Sequence, residues 1–126
     1  MKQYFLALMA ALISTQSEAQ TIAGGDADKH GCRASAGYTW SIIRAECIRV
    51  WETGTRLHAT DSTATTDAFV IFDTNRSKAE IWANNTHAVL NRSRKGSDTF
   101  IGTPYRLVTR KQPKLYKGRR LIFISK

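Results

Sequence analysis

AFVIFDTNRSKAEIWANNTHAVLNRSRKGSDTFIGTPYRLVTRKQPKLYKGRRLIFIS, residues 68–125, breaks into short apolar runs separated by polar turn signals. AFVIF (68–72) precedes the turn DTNR, SKAEIWA (77–83) follows it, and HAVLNR (87–92) leads into the charged loop SRKGSD. TPYRLVT (103–109), PKLY (113–116) and RRLIFIS (119–125) complete the series, with Lys117-Gly118 turning the chain between the last two. Short runs rich in β-branched and aromatic residues, recurring about every 8–12 positions, predict an antiparallel meander that closes into a sandwich or small barrel. Phe69, Ile71, Ile81, Leu90, Leu107, Ile122 and Ile124 are the expected core. Just upstream, Thr55 to Ala59 reads as a further short strand and Thr60 to Asp67 as a polar loop.

Before residue 55 the rhythm changes. Trp40, Ile43, Cys47, Ile48 and Trp51 recur at three- and four-residue intervals, one face of a helix, which predicts a helix near 40–52. Thr39 or Ser41 supplies its cap and Gly54 its C′ residue. The expected fold class is therefore α+β: a small antiparallel β-barrel or meander sheet preceded by one disulfide-tied helix. One domain spans 20–126, made of a disulfide-tied loop and helix (20–54) and an antiparallel β region (68–126).

Residues 1–19 have the parts of a secretory signal: Lys2, an apolar run from Tyr4 to Ile13 too short to span a bilayer, and Ser17-Glu18-Ala19 with small residues at the −3 and −1 positions. A mature chain starting near Gln20, periplasmic or secreted and without a transmembrane segment, is expected. In an oxidising compartment the two cysteines, Cys32 and Cys47, allow one intramolecular pairing. Closing a loop of about 15 residues contributes roughly 3 kcal/mol in the chain-entropy model. His30, His58 and His87 are scattered without ligand spacing, so neither metal nor cofactor is expected.

Charge is placed unevenly. Residues 20–91 carry seven Lys or Arg against eight Asp or Glu, whereas residues 92–126 carry eleven against the single acid Asp98. The formal +9 of the chain thus belongs to its C-terminal third, and such an asymmetry attracts anionic partners. Arg92, Arg94, Lys95, Arg106, Arg110, Lys111, Lys114, Lys117, Arg119 and Arg120 are the candidate polyanion-binding residues. The plain alternative is a solvated face, since exposed strands carry Lys and Arg to discourage pairing with other chains. Phe100, Tyr105 and Tyr116 are the only aromatics interleaved with these charges, too few to argue for base stacking. No Gly-rich phosphate loop, His-Glu zinc motif or Gly-x-Ser-x-Gly elbow occurs, and no catalytic residue is assigned.

The segment C-x-x-S-A-G-Y-x-W-x(6)-C-I-R-x-W-E, at Cys32, Ser35 to Tyr38, Trp40, Cys47 to Arg49, Trp51 and Glu52, resembles a motif of small secreted proteins of the Bacteroidota that heads a short β domain. In order and rhythm, "AFVIFD…SKAEIWA" and "KLYKGRRLIF" are similar to the periplasmic and membrane-bound inhibitors of C-type lysozyme. That resemblance implies a small antiparallel β-barrel and an inhibitory loop of the form Ser-Gly-x-Arg/Lys-Tyr. The matching stretch is Ile101-Gly102-Thr103-Pro104-Tyr105, which makes Gly102, Thr103 and Tyr105 the candidate loop. Ile101 stands where that pattern has Ser, and Pro104 where it has a basic residue.

Two functions follow as expectations. The first is a non-enzymatic secreted or periplasmic binding domain similar to the lysozyme inhibitors, with a protein as partner. The second is a binder of an anionic polymer (glycan, lipopolysaccharide or nucleic acid) through the C-terminal basic face.

Overall fold

The computed structural model describes residues 27–62, 64 and 66–126. The expected signal segment, residues 1–19, lies outside them. The described chain begins with a loop and a single 3₁₀ turn at Ala34–Ala36, then a two-stranded ribbon, β1 (Thr39–Ser41) against β2 (Glu46–Ile48), and one turn of helix, α1 (Val50–Thr53). Eight strands follow: β3 (Thr55–Ala59), β4 (Ala68–Phe72), β5 (Lys78–Ala83), β6 (Thr86–Arg92), β7 (Thr99–Gly102), β8 (Tyr105–Val108), β9 (Lys114–Lys117) and β10 (Arg120–Ile124). Each pairs antiparallel with the next, and β10 returns to β3 through Phe123↔Ala59 and Ile124↔His58, closing a barrel.

The barrel interior follows from alternation. Every second residue points inward, so Leu57, Val70, Ile81, Leu90, Phe100, Leu107, Leu115 and Phe123 form one buried cluster with Ala68, Ala79 and Ala83. Large residues face small ones across the ladder, as in Leu57↔Ala68, Ala79↔Leu90 and Ile81↔Ala88, which lets side chains fill a narrow eight-stranded bore. The turn from β5 to β6 is a two-residue hairpin in which Asn84 and Asn85 take φ of 49° and 63°. Two left-handed residues in succession match the twist of the flanking strands, and Asn tolerates that region better than most residues.

The helix expected over 40–52 is a correction. The chain forms β1 and β2 there, and helix is confined to Val50–Thr53. Cys47 consequently sits on a strand, paired opposite Trp40, and its disulfide to Cys32 ties a loop to a ribbon. Two features override the helical spacing. Ala45 turns the chain with φ of 53°, and Glu80 on β5 accepts hydrogen bonds from the Ile42 N–H (2.7 Å), the Ile43 N–H (3.4 Å) and the Ser41 hydroxyl (2.7 Å). A carboxylate from the barrel wall thus satisfies the donors that a helix would have turned inward on itself.

The ribbon and α1 cover the outer side of β4 and β5, where Ile71, Glu80, Ser41, Ile48 and Cys32 are buried. Ile71 therefore belongs to this second, smaller core rather than to the bore. Phe69 and Ile124, also expected in the core, face outward and are half-buried. At β10 a bulge between Leu121 and Phe123 shifts the alternation, so Phe123 takes the central position and Ile122 only borders it. Gly37 is required by the same packing: with φ of 88°, a Cβ there would lie 2.0 Å from the Trp51 indole.

Glu80 is 0% exposed, so burial alone would raise its carboxyl; hydrogen bonds from His87, the Ile42 N–H, the Ser41 hydroxyl and the Ile43 N–H outweigh that and hold it below the usual glutamate range. The group is ionised at neutral pH and accepts only, so the His87 Nε2–H donates to it at 2.5 Å.

Candidate polyanion interface

In an up-and-down barrel alternate connections emerge at the same end. The β6–β7 loop (93–98) and the β8–β9 loop (109–113) therefore lie side by side, and they bring Arg94 and Lys95 near Arg110 and Lys111. Asp98 fastens the two loops together. Its backbone carbonyl accepts from the Thr109 N–H at 2.8 Å and from the Thr109 hydroxyl at 3.0 Å, and its carboxylate accepts from Arg110 Nε at 2.9 Å. The Arg110 guanidinium holds the Asp98 carboxyl below the usual aspartate range. Arg94, Lys95, Gly96, Ser97, Asp98 and Arg110 line a shallow, polar cavity of about 340 Å³.

From this end the positive charge continues down the wall. Lys114 starts β9 and Lys117 ends it, a span of roughly 10 Å at about 3.3 Å per residue. Arg106, on the adjacent strand, stands between them with its guanidinium 4.2 Å over the Tyr116 ring. Arg119 and Arg120 follow at the far turn, where Arg120 pairs with Asp61 at 3.2 Å. Spacings of this size are about one Debye length at 0.1 M salt, so the charges act together on an extended anion.

Two of the ten fall at inward register positions, Lys117 opposite Tyr105 at the far rim, where it is exposed, and Arg92. Arg92 sits opposite Phe100, with its guanidinium 5.8 Å over that ring and its Nε buried without a hydrogen-bond partner among the described residues. It closes the mouth of the barrel instead of joining the face.

The chain matches no family model, no curated protein and no solved structure. What the site can do is read from its own groups.

Of the three aromatics interleaved with the charges, Phe100 and Tyr105 are buried in the bore and only Tyr116 lies outward. The candidate inhibitory loop is a tight hairpin between β7 and β8 with Thr103 and Pro104 exposed at its tip. Tyr105 points into the bore, its hydroxyl donating to Thr86 Oγ1 at 3.3 Å. Gly102 is held by close packing, since a Cβ there would meet Leu90 Cδ2 at 2.5 Å and the Val89 carbonyl at 3.0 Å.

A larger cavity of about 650 Å³ separates the ribbon from the end of β4, and its two arginines, Arg44 and Arg76, are faced by Glu46 and Asp73. Among the described residues no three His, Cys, Asp or Glu side chains gather as a metal site would require. Sequence reasoning missed Asp98 as the clasp between the basic loops. Its only signal was being the lone acid within residues 92–126.

Proposed function

We propose that this is a non-enzymatic binding domain acting outside the cytoplasm, and that its ligand is an anionic polymer lying along β8 and β9. The observation that carries this reading is the run of exposed basic residues from Arg94 and Lys95, past Lys111, to Lys117 and Arg119, in which cations outnumber the two acids beside them, Asp98 and Asp61. Phosphate, sulfate or carboxylate groups spaced along a chain would meet these cations in turn and release counterions as they bind. The disulfide fits an oxidising compartment, and no helix among the described residues is long and apolar enough to cross a membrane.

A lysozyme-inhibitor reading has the closed barrel in its favour. Against it stands Tyr105, whose ring is committed to the bore and is not offered to a partner's cleft.

Elution from immobilised heparin in salt steps tests the polyanion reading. Lys95→Glu with Lys117→Glu removes two exposed contacts at opposite ends of the run, while Lys29→Glu with Arg33→Glu makes the same charge change on the N-terminal loop. The first pair is expected to elute at much lower salt, each lost phosphate-type contact lowering the log–log salt slope by about 0.7–0.9. Co-elution of the two double variants would reject the polyanion site.

A further inference from the structure

On the outer side of β3 to β6 one register row reads Arg56, Phe69, Trp82, His87. Neighbours in such a row stand about 5 Å apart on the same face. The Arg56 guanidinium lies 5.3 Å over the Phe69 ring, and the His87 ring stacks on the Trp82 indole with centroids 4.7 Å apart and planes 13° from parallel. None of these rings is needed by the bore, which the inward residues fill. Phe69, Trp82 and His87 instead line a cavity of about 310 Å³, whose rim carries Asp67, Asn84 and Asn85. A second cavity, of about 430 Å³, shares Thr66, Asp67 and Phe69 with the first and extends the groove towards Arg56.

We propose that this groove binds neutral saccharide rings, at a site separate from the basic run. A pyranose has an apolar C–H face and a rim of hydroxyls, and it needs an aromatic platform edged by amide and carboxylate groups. Phe69 and Trp82 supply the platform. The two asparagines, held at positive φ by their turn and exposed, supply amides that both donate and accept. The wall's charges cancel: Asp67 accepts from Arg56 at 3.2 Å and lies 3.4 Å from His58 Nδ1. A nucleic-acid strand would need a surplus of cations beside the rings, and the groove has none to spare. The platform is also held in place before any ligand arrives. Glu80 fixes the His87 ring, and His87 backs the indole, so His87 is a positioning residue here.

The test is an NMR titration of the full chain. The reporter is the Trp82 indole N–H signal, assigned by its loss in Trp82→Phe, and the probes are maltotriose, chitotriose, heparin and an oligothymidylate. A saturable shift with at least one of the two sugars is expected, together with a roughly tenfold weaker affinity in Phe69→Leu, which keeps apolar bulk but removes the ring. An unchanged thermal midpoint and an otherwise unchanged spectrum for Phe69→Leu separate loss of binding from loss of fold; if that variant unfolds, Asp67→Asn serves in its place with the same expected direction. No shift with either sugar, wild-type affinity in the folded variant, or a shift produced only by the oligothymidylate or heparin would overturn the proposal. Heparin retention governed by Lys95 and Lys117 is read separately, so the failure of one site leaves the other standing.

Discussion

Strands β4–β5 and β8–β9 are two stretches of one barrel wall whose inner sides are alike, with Val70 and Ile81 buried in the first and Leu107 and Leu115 in the second. Their outer sides differ. Around Ile71 and Glu80 the first is roofed by the disulfide-tied ribbon and α1, which bury Ile71 and an ionised Glu80. Among the described residues the second has no such roof: Arg106 lies over Tyr116, and Ile101 on neighbouring β7 is 43% exposed. A charge under the roof persists only because backbone, hydroxyl and imidazole donors converge on it, and leaving any of them unpaired is costly. A charge on the open side keeps its hydration and stays available to a ligand. In this barrel, covering a face turns a polar residue into a structural part, whereas leaving it bare keeps it free for recognition.

The contrast breaks most visibly at Glu80. Glu80→Ala strands the His87, Ser41, Ile42 and Ile43 donors, and it is expected to lower unfolding free energy by about 3–5 kcal/mol in urea. Arg106→Ala on the open wall is expected to change it by no more than about 1 kcal/mol. Comparable losses from the two variants would erase the distinction. Next comes the tie that holds the roof: Cys47→Ala releases a span of 15 residues and should cost about 3 kcal/mol, with a smaller effect on the barrel's own amide-exchange protection than on the ribbon's.

The smallest effect is the dependence on pH. The Glu80 carboxyl is held below 4.5, its ordinary value, so under acid conditions the unfolded chain binds the extra proton. Its contribution is fully present above 4.5 and is lost as pH falls from there through the native value. Asp28, Asp73 and Asp98, also lowered, contribute with the same sign. Glu80→Gln should flatten the acid side of the stability profile while leaving the neutral side level. An unchanged profile would mean that Glu80 is not the group that titrates.

Most of the barrel was legible because its strands are short apolar runs bounded by strong turn signals, as at Asp73–Arg76, Ser93–Asp98 and Lys117-Gly118. Which side of a strand faces inward was harder to read. AFVIF is apolar throughout, so alternation could not tell Val70, in the bore, from Ile71, under the roof. In RRLIFIS the bulge at Ile122 shifts the pattern by one residue and exchanges Ile122 and Ile124 for Phe123. β7 was hidden because Thr99–Gly102 is short and follows a charged loop. The ribbon was unreadable for a deeper reason: the residue that decides against a helix at Ser41–Ile43 is Glu80, nearly forty positions later. Of the candidate site, the charge asymmetry identified the basic residues. It could not reveal that Arg92 turns inward, because that depends on which register β6 adopts.

The closure between β3 and β10 has a consequence for the order in which the chain can fold. Every other seam of the barrel joins strands that follow one another in sequence, so those hairpins can form locally and early. The β3–β10 seam rests on two register pairs separated by more than sixty residues, and it cannot form until Arg120–Ile124 has emerged from whatever machinery delivers the chain. Until then β3, from Thr55 to Ala59, is an unpaired edge, the segment most exposed to premature association. A circular permutant that joins the present ends and opens at the Gly118 turn would place β10 ahead of β3 and move the late, distant seam to β9–β10.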